Sequence, residues 1–332
     1  MTNTVLVTGG AGFVASWCVA ELLKQDYVVR ATLRDLSRAE RIRQALAPET
    51  QAKGELAFVA ADLTEDAGWD SAMEGVDYVL HVASPLGGAV RGDLIAPARE
   101  GTLRVLGAAA KAKVKRVVMT SAAAAARAPL ASKAVNDESV WADPNDPQFD
   151  AYRRSKILAE RAAWDFIHAE GGAMQFTAIL PGAVFGPVLL KENLGSAAII
   201  QGLLNGRPSG APRLGFWVVD VRDLAALHIR AMIAPEAAGE RFIAAGEFMW
   251  MKDIAAVLRA RLGDAAAKAP QRELPDFAVR VSSLFAANLR QITPLLGKQI
   301  AQSSDKARRV LGFSPRPAAE TVVACAQSLL TR

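Results

Sequence analysis

The sequence predicts an α/β protein, a doubly wound parallel sheet with a smaller, mostly helical C-terminal lobe. Three observations carry that expectation. Short apolar runs alternate with helical patterns through the first half of the chain. A glycine cluster joins the first run to the first helix. After about residue 188 the rhythm breaks, and residues 202–215 are rich in Gly and Pro. Strands that alternate with helices make parallel βαβ units with right-handed crossovers.

Residues 4–8 (TVLVT) read as the first strand, and a helix runs beyond the glycines to about Lys24. Residues 27–33 (YVVRATL), rich in β-branched side chains that suit a pleated surface, are the second strand. Residues 56–60 and 76–82 are the third and fourth. A helix over about 93–111 leads to the fifth strand, 114–120 (VKRVVMT). Residues 151–169 are helical and 175–180 (QFTAIL) form the sixth strand. Residues 216–219 followed by 220–233 read as one more strand and helix returning to the sheet. Helices around 252–262 and 275–291 go to the second lobe. The expected division is 1–187 for the sheet domain, rejoined by 213–245, and 188–212 with 246–332 for the smaller lobe.

Composition excludes several classes. Of 332 residues, 51% are hydrophobic and 22% charged, which rules out wholesale disorder. The formal charge of +5 is small and spread out, without the dense basic stripe of a nucleic-acid binder. Cys18 and Cys325 make neither a disulfide framework nor a cysteine-rich metal site. His81, His168 and His228 lie far apart and form no HExxH pair. Residues 1–20 carry no charge, yet they lack the basic start of a secretory leader and contain Gly9, Gly10 and Gly12. Residues 171–190 are also uncharged and long enough to span a bilayer. Pro181, Gly182, Gly186 and Pro187 interrupt them, which fits a strand and tight loop instead. The expectation is a cytoplasmic protein with no membrane segment.

Thr8-Gly9-Gly10-Ala11-Gly12-Phe13-Val14-Ala15 joins the first strand to the first helix. A pyrophosphate sits against backbone N–H groups at a helix N-terminus, where a side chain would block it. Placement at the head of a chain of βαβ units makes this a dinucleotide site. The tip of the second strand selects the dinucleotide. NAD sites usually place a carboxylate there for the ribose 2′-OH. Here Arg34 takes the tip, with Arg38 and Arg41 on the next helix. A guanidinium forks onto a 2′-phosphate, so the reading is NADP(H). A solvated helix face is the alternative for Arg38. Asp62 and Leu63, at the end of the third strand, are placed to meet the adenine; an ordinary helix N-cap is the competing role for Asp62.

Of the three tyrosines only Tyr152 is followed four residues later by lysine, Lys156. That spacing puts both on one helical face. A nearby ammonium favours phenolate and pulls the phenol down from ~10, making the tyrosine a general acid for a carbonyl oxygen. A chance pair on an exposed helix is the bland alternative.

Together the motifs resemble the extended short-chain dehydrogenase/reductase family, in the branch of dihydroflavonol reductases, cinnamoyl-CoA reductases and related carbonyl reductases. The residues that carry it are VTGGAGFVASW at 7–17, VRATLRD at 29–35, ADL at 61–63, HVASP at 81–85, VKRVVMTS at 114–121, YRRSKILAERAAW at 152–164, LPGAVFGP at 180–187 and VVDVRDLAALH at 218–228. The resemblance implies a Rossmann-type fold. It implies that Ala83, Ser84, Pro85 and Thr120 line the cofactor and that Pro181, Gly182 and Val184 shape the nicotinamide site. Loops at about 86–92, 123–135 and 186–215 would form the pocket for a small carbonyl or alcohol substrate. The helices at about 93–111 and 151–169 pair in dimeric relatives, whereas the plant reductases can be monomeric.

Two positions depart from the family pattern. Ala15 replaces the third glycine, a mild change. Family members end the fifth strand with Thr-Ser-Ser, the last serine donating to the substrate oxygen; here the run is Thr120, Ser121, Ala122. Either Ser121 substitutes through a one-residue shift, or the chain is a low-activity variant. The functions that follow are an NADPH-dependent reductase of a ketone or aldehyde, an NAD-retaining sugar-nucleotide epimerase or dehydratase, and a non-enzymatic NADP-binding regulator. Arg34 and the Tyr152–Lys156 pair favour the first. The uncharged stretch 195–206 fits an apolar substrate or simply a helix core.

Overall fold

The computed structural model describes residues 3–50, 54–85, 94–285 and 287–331. β1 (Thr4–Val7), α1 (Phe13–Lys24), β2 (Val28–Leu33), α2 (Ala39–Thr50) and β3 (Leu56–Ala60) form the first half of a central sheet and its flanking helices. α3 (Trp69–Met73), β4 (Tyr78–His81), α4 (Ile95–Lys111), β5 (Arg116–Thr120), α5 (Ala151–Glu170) and β6 (Gln175–Pro181) form the second. Beyond it come β7 (Ala183–Phe185), α6 (Ala197–Leu204), β8 (Ala211–Pro212), β9 (Gly215–Asp220), α7 (Val221–Ile233) and β10 (Glu240–Ala244). β11 (Phe248–Trp250), α8 (Met251–Leu262), β12 (Glu273–Leu274), α9 (Asp276–Ser283), α10 (Ala287–Arg290), α11 (Asp305–Leu311) and α12 (Ala318–Leu330) complete the described chain.

The central sheet has seven parallel strands in the order β10-β6-β5-β4-β1-β2-β3. It is a Rossmann-type, doubly wound sheet. Strand order reverses between β1 and β4, which opens a crevice beyond their carboxyl ends. Side chains alternate across β1: Val5 and Val7 pack with α1 and α7, and Leu6 packs with α4 and α5. All three are fully buried. A one-residue slip would turn each to the wrong layer, so two dry faces fix the register. Helices α4 and α5 lie side by side on one face, and α1 and α7 on the other.

The expected return of residues 216–219 to this sheet is corrected. They belong to β9, which pairs parallel to β7 and antiparallel to β11 in a separate three-stranded sheet. The seventh strand of the main sheet is β10. Its first residues, Glu240 and Arg241, are charged and disguise a buried strand; Arg241 is only 5% exposed because it is paired inside. The helix expected over 275–291 comprises α9 and α10, and Ala286 between them lies outside the described residues. The expected pocket loop at 86–92 also lies outside them. Residues 175–181 and 183–185 are strands, and among the described residues no helix is long and apolar enough to cross a membrane. The apolar stretch at 195–206 is accounted for by packing, since Ala197, Ile200 and Leu203 of α6 are fully buried.

Candidate active site

The carboxyl end of β1 turns through Thr8 to Gly12. Gly9 has φ +71°, and a Cβ there would stand 3.0 Å from the Ala83 Cβ, so the turn is pressed against the exit of β4. Gly9 N donates to Thr32 Oγ1 at 2.8 Å and Gly10 N to Thr32 O at 2.9 Å, which fixes the turn over β2. Gly12 is the N-cap of α1 and offers no side chain to its first turn. That turn holds no acidic residue either, leaving the N–H groups of Phe13 and Val14 to meet an anion. Phe13 is buried and Val14 half-buried. The cradle therefore fits a pyrophosphate.

Thr8 ties this turn to β4. Its hydroxyl accepts from Val82 N and Ala83 N, each at 3.0 Å, and meets His81 Nδ1 at 3.0 Å. Thr102 Oγ1 donates to Ala98 O at 2.8 Å and so accepts from His81 Nε2 at 3.2 Å. These directions assign the Nε2–H tautomer and make Thr8 the donor to Nδ1. Burial first, and Lys156 second, lower the His81 pKa to about 3. Ala83, Ser84 and Pro85 follow, all half-buried.

Arg34 is exposed at the tip of β2 and, among the described residues, has no ion pair or hydrogen bond. Arg41 is otherwise engaged: its Nη1 meets Glu192 at 2.5 Å, and Arg38 pairs with the same carboxylate. Asp62 is not a helix N-cap. Its Oδ1 accepts from Thr64 N and Thr64 Oγ1, both at 2.8 Å, within a turn, and the next helix starts at Trp69. Leu63 is half-buried, its carbonyl taking Arg104 Nη1 at 3.0 Å.

Asp150 caps α5 by accepting from Arg153 N at 2.7 Å, which sets the first helical turn and Tyr152 within it. Lys156 is buried, and its Nζ donates to Thr120 O at 2.8 Å, at the carboxyl end of β5. Burial lowers the Lys156 pKa to about 8, and the Glu160 charge opposes that. The expected pull on the phenol is corrected: burial, the larger effect, raises the Tyr152 pKa. The ammonium is directed at a backbone carbonyl. Thr120 Oγ1 donates to His228 Nε2 at 2.7 Å, because His228 Nδ1 is committed to Leu224 O at 2.8 Å.

The structure does not bring Ser121 to Tyr152 as a substitute donor. Its hydroxyl donates to Glu160, on the α5 face of the sheet, and the residue is 2% exposed. Glu160 also accepts from Arg241 Nε at 2.6 Å. Arg241 donates further to Glu138 O and Val140 O at 2.8 Å and lies 3.8 Å from the Trp141 ring centroid. Ala122 follows in extended backbone, half-buried and without a hydroxyl. Sequence reasoning missed Glu160 and Arg241. The available signal was spacing, since Glu160 continues the row Tyr152, Lys156 by one more turn.

Pro181 ends β6 opposite Ala244. A Cβ on Gly182 would stand 2.3 Å from the Trp217 carbonyl oxygen, so only glycine lets β9 approach there. Val184 is buried in β7. Among the described residues no three metal-binding side chains converge.

Comparison with known proteins shows the family. The model of the NAD dependent epimerase/dehydratase family matches residues 5–245. The ketoreductase AzaE of Aspergillus niger is 35% identical over 298 residues, covering 83% of this chain and 87% of its own. The cinnamoyl-CoA reductase CAD2 of Medicago truncatula is 38% identical over 249 residues, 71% and 74% of the two chains. The yeast methylglyoxal/isovaleraldehyde reductase Gre2, solved with NADPH, superposes with a TM-score of 0.80 at 26% identity over 98% of both chains.

Proposed function

The chain belongs to the NAD dependent epimerase/dehydratase family, and on that premise we propose that it is an NADP(H)-dependent reductase of a ketone or aldehyde. The same chemistry runs backward as an alcohol dehydrogenase. One observation carries the reading. Tyr152 and Lys156 share the first turns of α5, and Lys156 is anchored to β5, two strands away from the glycine turn. The reductase names of the relatives support it.

The first turn of α1, with Gly9, Gly12, Phe13 and Val14, would hold the pyrophosphate, and Arg34 the 2′-phosphate. Asp62 and Leu63 would meet the adenine, Ala83 to Pro85 the middle of the cofactor, and Pro181, Gly182 and Val184 the nicotinamide. When bound, the dihydronicotinamide supplies hydride to the carbonyl carbon. Tyr152 gives its phenolic proton to the carbonyl oxygen as charge develops there. The phenol holds its proton at neutral pH as any tyrosine does, and burial raises its pKa further. Lys156, anchored on the Thr120 carbonyl, holds this turn of α5 in place, and water restores the proton to the phenolate left behind. With Ser121 spent on Glu160 and no hydroxyl at Ala122, Tyr152 carries the oxygen alone. A second reading, a protein that binds NADP(H) with little turnover, rests on Ala122. Arg34 argues against an NAD-retaining epimerase.

NADPH oxidation over aliphatic, aromatic and CoA-linked carbonyls tests the activity. Tyr152→Phe should lower turnover by at least about 100-fold with NADPH affinity unchanged within about two-fold. A variant that keeps more than about a tenth of wild-type turnover excludes proton donation by Tyr152.

A further inference from the structure

Between β7 and α6 the chain crosses the outside of α1 and is fastened on the way. Trp17 Nε1 donates to Pro187 O at 2.7 Å, and Val188 N to Ser328 Oγ at 2.9 Å. Lys191 Nζ reaches Leu329 O at 3.3 Å, at the end of α12, and Leu190 is buried. The next residue, Glu192, is thereby delivered to the start of α2. Its two oxygens take different arginines: Oε2 pairs with Arg38, and Oε1 with Arg41 at 2.5 Å. Arg38 and Arg41 thus meet on one carboxylate, a short way along the chain from Arg34 at the tip of β2, where a 2′-phosphate is recognised. One carboxylate neutralises two of the three.

We propose that Glu192 is a specificity-determining residue that stands in for the 2′-phosphate. It competes with that group for Arg38 and Arg41 and so moderates the preference for NADP(H) over NAD(H). The inference rests on the NADP(H) reading above. A phosphate monoester brings nearly two charges and three oxygens to guanidinium forks, against one charge from the carboxylate. Arg38 and Glu192 are 33% and 30% exposed, shallow enough to exchange partners. Displacing Glu192 therefore subtracts from NADP(H) affinity without preventing binding. NAD(H) has only a neutral 2′-OH, leaves both ion pairs in place, and incurs no such loss.

The test titrates tryptophan fluorescence of the full chain with NADP+ and with NAD+, in wild type and Glu192→Gln. The variant should bind NADP+ about three- to ten-fold more tightly, the scale of a partly exposed ion pair, with NAD+ unchanged within about two-fold. The gain should vanish in an Arg38→Gln/Arg41→Gln background. Unchanged or weaker NADP+ binding overturns the competition, because Glu192 would then be idle or would be positioning Arg38 for the phosphate. Weaker NAD+ binding with NADP+ unaltered overturns it too, by making Glu192 a ribose acceptor. A wild-type chain that prefers NADP+ while Glu192→Gln is silent sinks this inference alone. A wild type without that preference, with Glu192→Gln equally silent, sinks the cofactor reading with it.

Discussion

Ser121 and Ala122 are neighbours with opposite prospects. The Ser121 hydroxyl is a donor to a fully buried carboxylate, so Ser121→Ala should cost about 1.5–3 kcal/mol of stability while kcat holds. Ala122→Ser should instead raise kcat by about ten-fold or more, by adding a donor at the end of β5 that acts chiefly in the transition state. Urea unfolding and steady-state kinetics on the two variants separate these effects. If Ser121→Ala lowered kcat as Tyr152→Phe should, the bond to Glu160 would not be the working arrangement. At this scale the sequence was legible where chemistry follows spacing. Tyr152 and Lys156 are an i, i+4 pair in any helix, and the glycine turn must follow a strand. Which way Ser121 points was not legible, because Glu160 looks like any other helix carboxylate until Arg241 arrives from 81 residues away. The Tyr152 phenol went wrong for a related reason. Spacing shows that Lys156 is near, but not that its ammonium is directed at the Thr120 carbonyl.

The helix α5 is an element with two jobs. Its first turns carry Tyr152 and Lys156, and its middle is fastened to β10 through Glu160 and Arg241. Both members of that pair are almost wholly buried, so removing one leaves a bare charge inside. Arg241→Met should cost about 3–5 kcal/mol, and Glu160→Met/Arg241→Met should recover most of the loss by removing both charges. Denaturant midpoints measure this directly, and a single-variant cost below about 1 kcal/mol would show the pair to be solvated. The same pair explains an error in the sequence reading. A strand beginning Glu-Arg does not look like the buried edge of a parallel sheet, whereas residues 216–219 do. Apolar pattern reports that a run is a strand. It does not report which sheet receives it, and the partners of β9, β7 and β11, are three residues each, too short to announce themselves.

For the molecule as a whole, the two sheet faces each enclose a neutral histidine. His81 lies against α4 and His228 sits on α7, with pKa values pushed down by burial to about 3 and about 4. An unfolded histidine titrates near 6.5, so between those values the unfolded chain binds more protons than the folded one. Their contribution is complete above about pH 6.5 and is lost as pH falls toward 4. Lowering the pH from 7 to 5 should cost about 2 kcal/mol per histidine. Urea unfolding at the two pH values checks it; a loss of only about 2 kcal/mol in total would mean that one ring keeps its ordinary titration in the fold, and a flat profile that both do.

The long loop closed by Glu160 and Arg241 also sets an order of events during synthesis. The carboxylate is translated 81 residues ahead of its guanidinium, an interval of about 4–16 s at ordinary elongation rates. Throughout it β10 does not yet exist, and sealing α5 onto β6 would shut in an unmatched charge. The half-made layer is therefore expected to stay ajar until the edge strand is delivered. Ribosome-stalled chains ending before residue 240 should accordingly be sensitive to protease within α5, and chains extended well past residue 244 should resist it.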